Sequence, residues 1–386
     1  GSSGEVWGYL PLMAMVGAAI WFLLPRICEP RGLPIRGYGV MLLLAVSAAV
    51  ALAAWRARRL GIDPELILTL AFWAFVPGIV GARAFYVIEY WDEFQRNPAP
   101  LWAILNMTQG GLVVYGSLIG AIVGLVAFIY KYKMPPLATF DLVAPSLALG
   151  MALGRIGCLL NGCCYGGICE LPWAVTFPAG SPAHHHHVEH GETFLQGLKI
   201  AGDPGAEATI GEVQPGSSAE REGIAPGQRV VSINGVPVGT VGGAQRELLR
   251  AQETDEEIAV AVEAAGEASV VRWPVVRPLA RSEPVPPTQI YSAINGLLLC
   301  LFLLAYAPFR QRDGEIWAMF LTLYPITRFL LEIIRTDEPA VFATGLSISQ
   351  VVSLILLVCA VAFWAQVWMK PPGTAFPRYQ PSPAPN

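Results

Sequence analysis

Apolar residues in this chain come in long blocks, separated by short polar stretches. A helix needs about 20 mostly apolar residues, at about 1.5 Å each, to cross about 30 Å of hydrocarbon. Eight blocks approach or reach that length: 7–24, 37–55, 66–90, 110–130, 137–158, 289–308, 315–334 and 347–369. The block 137–158 carries Asp141 and Pro145, which blur its ends. The block 7–24 has no basic residues before it and no clear small-residue cleavage site after it, so it reads as a retained helix. Between the fifth and sixth blocks the pattern changes. From about Gly191 to Pro278, short apolar strands alternate with turns rich in Gly, Pro and Asp. The expected fold class is an all-α polytopic membrane protein with a small α+β insert.

Lys and Arg in short loops orient such a bundle. Arg56, Arg58, Arg59, Lys131, Lys133, Arg310, Arg312 and Lys370 all fall at ends that share one side of an eight-helix arrangement. That side is expected to be cytoplasmic, which puts the 159–288 insert on the outer, periplasmic side. Arg26, Arg31 and Arg36 lie on the other side and count against the rule. The expected divisions are 1–36 (an extra helix and loop), 37–190 and 281–371 (membrane core), 191–280 (insert) and 372–386 (a Pro-rich disordered tail).

Within the insert, Ala208–Val213 is followed by Pro215-Gly-Ser-Ser-Ala and by Pro226-Gly-Gln-Arg-Val-Val-Ser-Ile-Asn234-Gly235. This run resembles a PDZ domain of the bacterial envelope type. Gly243–Ala251 then reads as its second helix, and Ile258–Val262 with Ser269–Val275 as closing strands. PDZ domains bind a peptide as an added strand, so a peptide ligand is one expectation, with Phe194–Ile200 as the groove strand. A packing domain without a ligand is the other.

Composition sharpens the picture. Hydrophobic residues make up 54% and charged residues 14%, against about 25% charged in soluble domains. The net charge of −4 argues against a nucleic-acid partner. All five histidines lie within 184–190, leaving the spans without any. Their order, His-Val-Glu-His, is not the His-Glu-x-x-His of metalloproteases, and the tract reads as a flexible exposed loop. Cys158, Cys163, Cys164 and Cys169 cluster in sequence, but their spacing is not a usual zinc pattern. A disulfide, for instance through Cys169, is expected instead, and no metal. Cys28, Cys300 and Cys359 read as apolar filler.

Ionisable groups inside a bilayer cost about 2.5–3.5 kcal/mol each on insertion scales. The span 315–334 nevertheless leads through Tyr324, Arg328 and Glu332 to Arg335, at spacings of four, four and three. All four fall on one stripe of a helix, with Glu332 in reach of both arginines. A structural ion-pair network is the plain reading. Two arginines for one carboxylate suit an anionic headgroup better. Arg155 stands among glycines in Gly154-Arg155-Ile-Gly157-Cys-Leu-Leu-Asn161-Gly162, where its planar fork can grip phosphate. Gly116, Gly120 and Gly124 form a small-residue face for helix packing.

The ordered set of these residues resembles the prolipoprotein diacylglyceryl transferase family. It runs through Tyr38-Gly39, Gly81-Ala-Arg83, Gly110-Gly111, Gly116–Gly120, Asp141, Gly154-Arg155-Ile-Gly157 with Asn161-Gly162, Gln289-Ile-Tyr291, Tyr324 to Arg335 and Ser349-Gln350. The resemblance implies transfer of the diacylglyceryl group of phosphatidylglycerol onto the lipobox cysteine of a prolipoprotein in the bacterial inner membrane. It implies catalytic roles for Arg155, Arg328 and Glu332, and a place in the site for Tyr115. It implies substrate contacts at Tyr38, Arg83, Asn161, Gly162, Gln289, Tyr324 and Arg335, and no cofactor. Three positions depart from the pattern. Tyr115 stands where the family has a histidine proposed as base, Cys158 where it has asparagine, and Cys163 where an acidic residue is usual. The base is therefore unassigned, although the field of two arginines helps to ionise a thiol whose free pKa is about 8.5. Two rivals stand beside the enzyme. One is a catalytically silent relative that binds lipid or lipoprotein through its PDZ-like domain. The other is a transporter, which would need an internal repeat that is not visible.

Overall fold

The computed structural model describes residues 37–376, apart from 97–99, 106–110, 112, 201, 265, 278, 336–339 and 342–344. The block 7–24, the loop arginines Arg26, Arg31 and Arg36, Cys28 and Gly110 lie outside the described residues.

The membrane part opens with α1 (Gly37–Arg59) and α2 (Pro64–Glu89), then the short α3 (Trp91–Arg96) and α4 (Pro100–Leu105), then α5 (Val114–Tyr132) and α6 (Pro136–Asn161). Asp63 caps α2 by accepting the Glu65 N–H, with Pro64 at the first helical position. The helix α7 (Pro182–Glu189) leads into the insert: β1 (Leu198–Lys199), β2 (Glu212–Val213), α8 (Ser218–Arg221), β3 (Arg229–Ile233), β4 (Val236–Pro237), α9 (Val241–Thr254), β5 (Glu257–Ala264) and β6 (Glu267–Pro274). The chain returns as α10 (Thr288–Tyr306), a 3₁₀ turn at Ala307–Phe309, α11 (Glu315–Glu332), the β7–β8 pair (Ala340–Val341, Leu346–Ser347) and α12 (Ile348–Trp368).

Among the described residues, six helices are long and apolar enough to cross a membrane: α1, α2, α5, α6, α12 and the α10 span Thr288–Phe309. Charge distinguishes α11, which carries Glu315, Arg328 and Glu332. It packs against α6, α10 and α12, so those charges have protein around them. Apolar side chains on the outside of the bundle, such as Leu43, Phe72, Ile88, Val358 and Val361, are well exposed, as lipid-facing positions are.

Helices α2 and α5 run in close contact. A Cβ added at Gly120 would strike the Pro77 carbonyl, and one at Gly124 the Trp73 carbonyl. The small-residue face is therefore a backbone-to-backbone seam. Helix α6 is the hub, packing on α1, α10 and α11.

The insert has a four-stranded antiparallel sheet in the order β4-β3-β5-β6, with α9 packed on it. Its core includes Leu198, Ile233, Leu248, Ile258, Val260 and Trp273. The expected strand Phe194–Ile200 is reduced to β1, which pairs with β2. The histidine tract is corrected outright. It forms the helix α7, capped by Ser181 accepting the His184 N–H and started by Pro182. His184 and His187 are buried, at 0% and 2% exposure, so the tract is a packed element and not an exposed loop.

Candidate functional site

Two chain breaks meet to form the site. Helix α6 ends because Gly162 takes a left-handed conformation, φ +73°, at its C-cap. A side chain there would also press on Ser181 and Phe177. Helix α11 ends at Glu332, followed by Ile333, Ile334 and Arg335. The segments after the two helices are laced together: Gly166 and Arg335 form an antiparallel bridge, and the Gly167 N–H donates to the Ile334 carbonyl at 3.3 Å. Gly166 has no room for a side chain, since a Cβ would enter Pro286 and the Ile334 carbonyl.

This junction collects the arginines. Arg328 forms an ion pair with Glu332, and its Nη2 donates to Ser349 Oγ at 2.8 Å. Arg335 Nη1 donates to Glu332 Oε2 at 3.1 Å. The other carboxylate oxygen, Oε1, accepts the Ser347 hydroxyl at 3.2 Å. Glu332 is only 4% exposed. Arg155, Arg335 and Tyr324 all act electrostatically on Arg328. Arg155 thus shares one end of the bundle with Arg328, and among the described residues it makes no ion pair. Two arginines share one carboxylate and a third acts on them from α6, leaving the site cationic.

Tyr38, at the start of α1, packs over Gly157, whose added Cβ would meet the tyrosine ring at 3.2 Å. Its phenol feels the charges of Arg155 and of the Cys158, Cys163 and Cys164 thiols. Those three sulfurs lie within 4.8 Å of one another. The Cys163 thiol donates to the Cys158 carbonyl at 3.7 Å. All six described cysteines are free thiols, and Cys169, the expected disulfide partner, stands outside the trio.

Cys164 is a backbone outlier, with φ +60°. A non-glycine residue held there costs about 1–3 kcal/mol. Two hydrogen bonds from α10 hold it: Thr288 Oγ1 donates to the Cys164 carbonyl at 2.6 Å, and Gln289 Nε2 to the Cys163 carbonyl at 2.7 Å. The neighbouring Cys158 and Cys163 side chains lower the Cys164 thiol from its ordinary value; burial works against this, and the charges of Arg155 and Arg335 add to it.

Several residues expected to touch substrate are committed to backbone. Gln289 gives its amide N–H to the turn, while its Oε1 is buried without a hydrogen-bond partner. Gly162 serves the helix cap. Arg83 donates to the carbonyls of Ala103, Ile104 and Gly111, at 2.7, 2.8 and 2.9 Å, clamping the loop between α4 and α5. Tyr115 is 50% exposed near the start of α5, on the α2–α5 pair. Sequence reasoning missed Ser347 and Thr288. The signal for the first was present, because Ser347-x-x-Gln350 ahead of an apolar run is a capping box, and it is formed at the start of α12.

Against this geometry, comparison with known proteins is decisive. The family model described as prolipoprotein diacylglyceryl transferase matches residues 25–201 and 259–366. The chain belongs to this family. A PDZ domain model matches residues 209–263, which covers most of the stretch between the two family segments and runs a little into the second. The phosphatidylglycerol–prolipoprotein diacylglyceryl transferase of Rhodopirellula baltica is 34% identical over 371 residues, covering 88% of this chain and 73% of the relative. Proteins of the same name from Clostridium tetani and Dehalococcoides mccartyi are 26% and 27% identical, over 87% and 86% of this chain and 95% and 89% of their own lengths. The apolar helices and the family together make this a membrane protein. In this chain the cationic junction lies where α6 and α11 end and α10 and α12 begin.

Proposed function

We propose that the protein transfers the diacylglyceryl group of phosphatidylglycerol to the lipobox cysteine thiol of prolipoproteins, the first step of bacterial lipoprotein maturation. One observation carries the reading: Arg328 and Arg335 share the single carboxylate of Glu332 at the end of α11, and Arg155 of α6 lies near enough to act electrostatically on Arg328. The reaction breaks the bond between glycerol carbon and phosphate oxygen and forms a thioether, releasing glycerol phosphate. Arg155 and Arg328 grip the phosphate and stabilise the charge that grows on the leaving group. Glu332 holds Arg328 and Arg335 in register, and Ser349 fixes the Arg328 fork. Tyr38, Asn161 and Tyr324 line the approach, and Tyr115 meets substrate from the α5 side.

The protein sits in the inner membrane with seven or eight spans, of which α11 is the charged one. The basic helix ends face the cytoplasm and residues 159–288 face the periplasm. The PDZ unit packs rather than reads peptides. Val188 of α7 is buried in its core, and Gln245 of α9 donates to the carbonyls of Val188 and Ile200 at 2.9 and 2.7 Å, so the chain's own segment bridges helix and strand.

Complementation of a strain lacking its own diacylglyceryl transferase tests the reading. The full chain should restore growth and lipoprotein processing. Failure of a well-expressed, membrane-inserted protein to do so, with no label transferred from phosphatidylglycerol to a lipobox peptide, would leave only the silent lipid-binding relative.

A further inference from the structure

The function just proposed leaves the thiol's proton without a base. Tyr115 stands where the family has histidine, and all five histidines lie in or beside α7. At the same site, the sequence supplies three sulfurs. Cys158 begins the last turn of α6, and the Gly162 break folds Cys163 and Cys164 back toward it, bringing the three Sγ atoms within 4.8 Å. Linear spacing hides this set, because a helix end and the turn after it approach each other only once the cap forms. A tetrahedral zinc ion with Zn–S bonds of about 2.3 Å holds its sulfurs about 3.8 Å apart. The trio therefore needs to close by about 1 Å at most.

We propose that Cys158, Cys163 and Cys164 form a three-thiolate site for a soft d¹⁰ divalent cation, zinc above all, whose fourth position takes the substrate's thiol. This rests on the transferase reading. Three protein ligands with one open position are the pattern of catalytic zinc. A thiol bound to the ion gives up its proton outright. The charge also balances. Three thiolates and a divalent ion carry one negative charge, and a fourth thiolate makes two. Arg155 and Arg335 both act electrostatically on Cys164, and their positive charges offset them. The strained turn at Cys164, pinned by Thr288 and Gln289, is what fixes the third ligand. In the step itself the lipobox thiol loses its proton to water, sulfur bonds to the glyceryl carbon, and the carbon–oxygen bond breaks toward phosphate. No oxidant or reductant is involved.

The test uses the full chain, purified anaerobically in detergent without chelator. Metal analysis should find about one zinc per chain. Cobalt in its place should give sulfur-to-cobalt charge-transfer bands and intense tetrahedral visible bands, and a lipobox peptide thiol should shift them. C163S and C164S should lose the metal, while C169S, outside the trio, should keep it. Thermal melting of each variant separates metal loss from misfolding. Absence of stoichiometric metal in wild type, or full retention in C163S and C164S, overturns the site, as does recovery of the trio as a disulfide. Label transfer measured in parallel distinguishes the two claims. An active protein without metal refutes only the zinc site. A metal-bearing protein without transfer refutes the enzyme.

Discussion

Glu332 sets the charge balance of the site, since it is the one carboxylate between Arg328 and Arg335. The isosteric E332Q keeps the packing and removes the charge that orients both forks. We expect kcat to fall about 100-fold, as for a misplaced clamp, with phosphatidylglycerol binding less affected; equal losses in kcat and binding would argue for a purely structural pair. The stripe was legible in the sequence because spacings of four, four and three align side chains regardless of what surrounds them. Arg83 and Gln289 were not legible in the same way. Their partners are backbone carbonyls, which no sequence pattern displays. His184 offers a pH prediction. Burial lowers its pKa from 6.5 to about 4, so the unfolded chain binds the proton first as pH falls. The stability that depends on its neutral form is complete above pH 6.5 and is lost between 6.5 and 4, by up to about 3 kcal/mol. The midpoint of thermal melting should drop across that window, and H184N should drop less. An unchanged pH profile in the variant would contradict this.

At the level of elements, the long apolar runs among the described residues found their helices, because a single segment of chain satisfies its own backbone groups in hydrocarbon only as a helix. The short elements were harder. The histidine tract was read from composition, although Ser181-Pro182 is a helix start, and its buried face packs on distant residues, Ala183 against Val285 and Val188 in the core of the insert. Phe194–Ile200 kept only two residues of strand, because its register depends on β2, more than ten positions away. The α2–α5 seam makes its own prediction. G120V would push a branched side chain into the Pro77 carbonyl. It should lower melting in detergent markedly, while a substitution on the lipid-facing side of the same helix, V123A, should be nearly neutral. Equal effects would mean the seam is not under packing constraint.

Across the whole molecule, the charged ends of the bundle lie a membrane apart. Tyr38 and Arg56 are 18 residues apart on α1, about 27 Å at 1.5 Å per residue. At the Arg56 end, Asp141 accepts the N–H groups of Gly314 and Trp317 at 2.8 and 2.9 Å, tying α6 to the start of α11. The cationic junction sits at the other end, where the chain leaves α6 on its way to the insert. If the PDZ unit packs as inferred, deleting residues 191–278 should lower melting of the core and reduce transfer to short lipobox peptides and full prolipoproteins alike. Selective loss with full prolipoproteins would instead identify a peptide reader. The central claim is the cationic grip shared by α6 and α11. Its most direct measurement is transfer of labelled glyceryl from phosphatidylglycerol to a lipobox peptide by purified wild type, R155A and R328A. Wild type should transfer, and each variant should lose about 100-fold or more while remaining folded and inserted; wild-type rates in either variant would contradict the account.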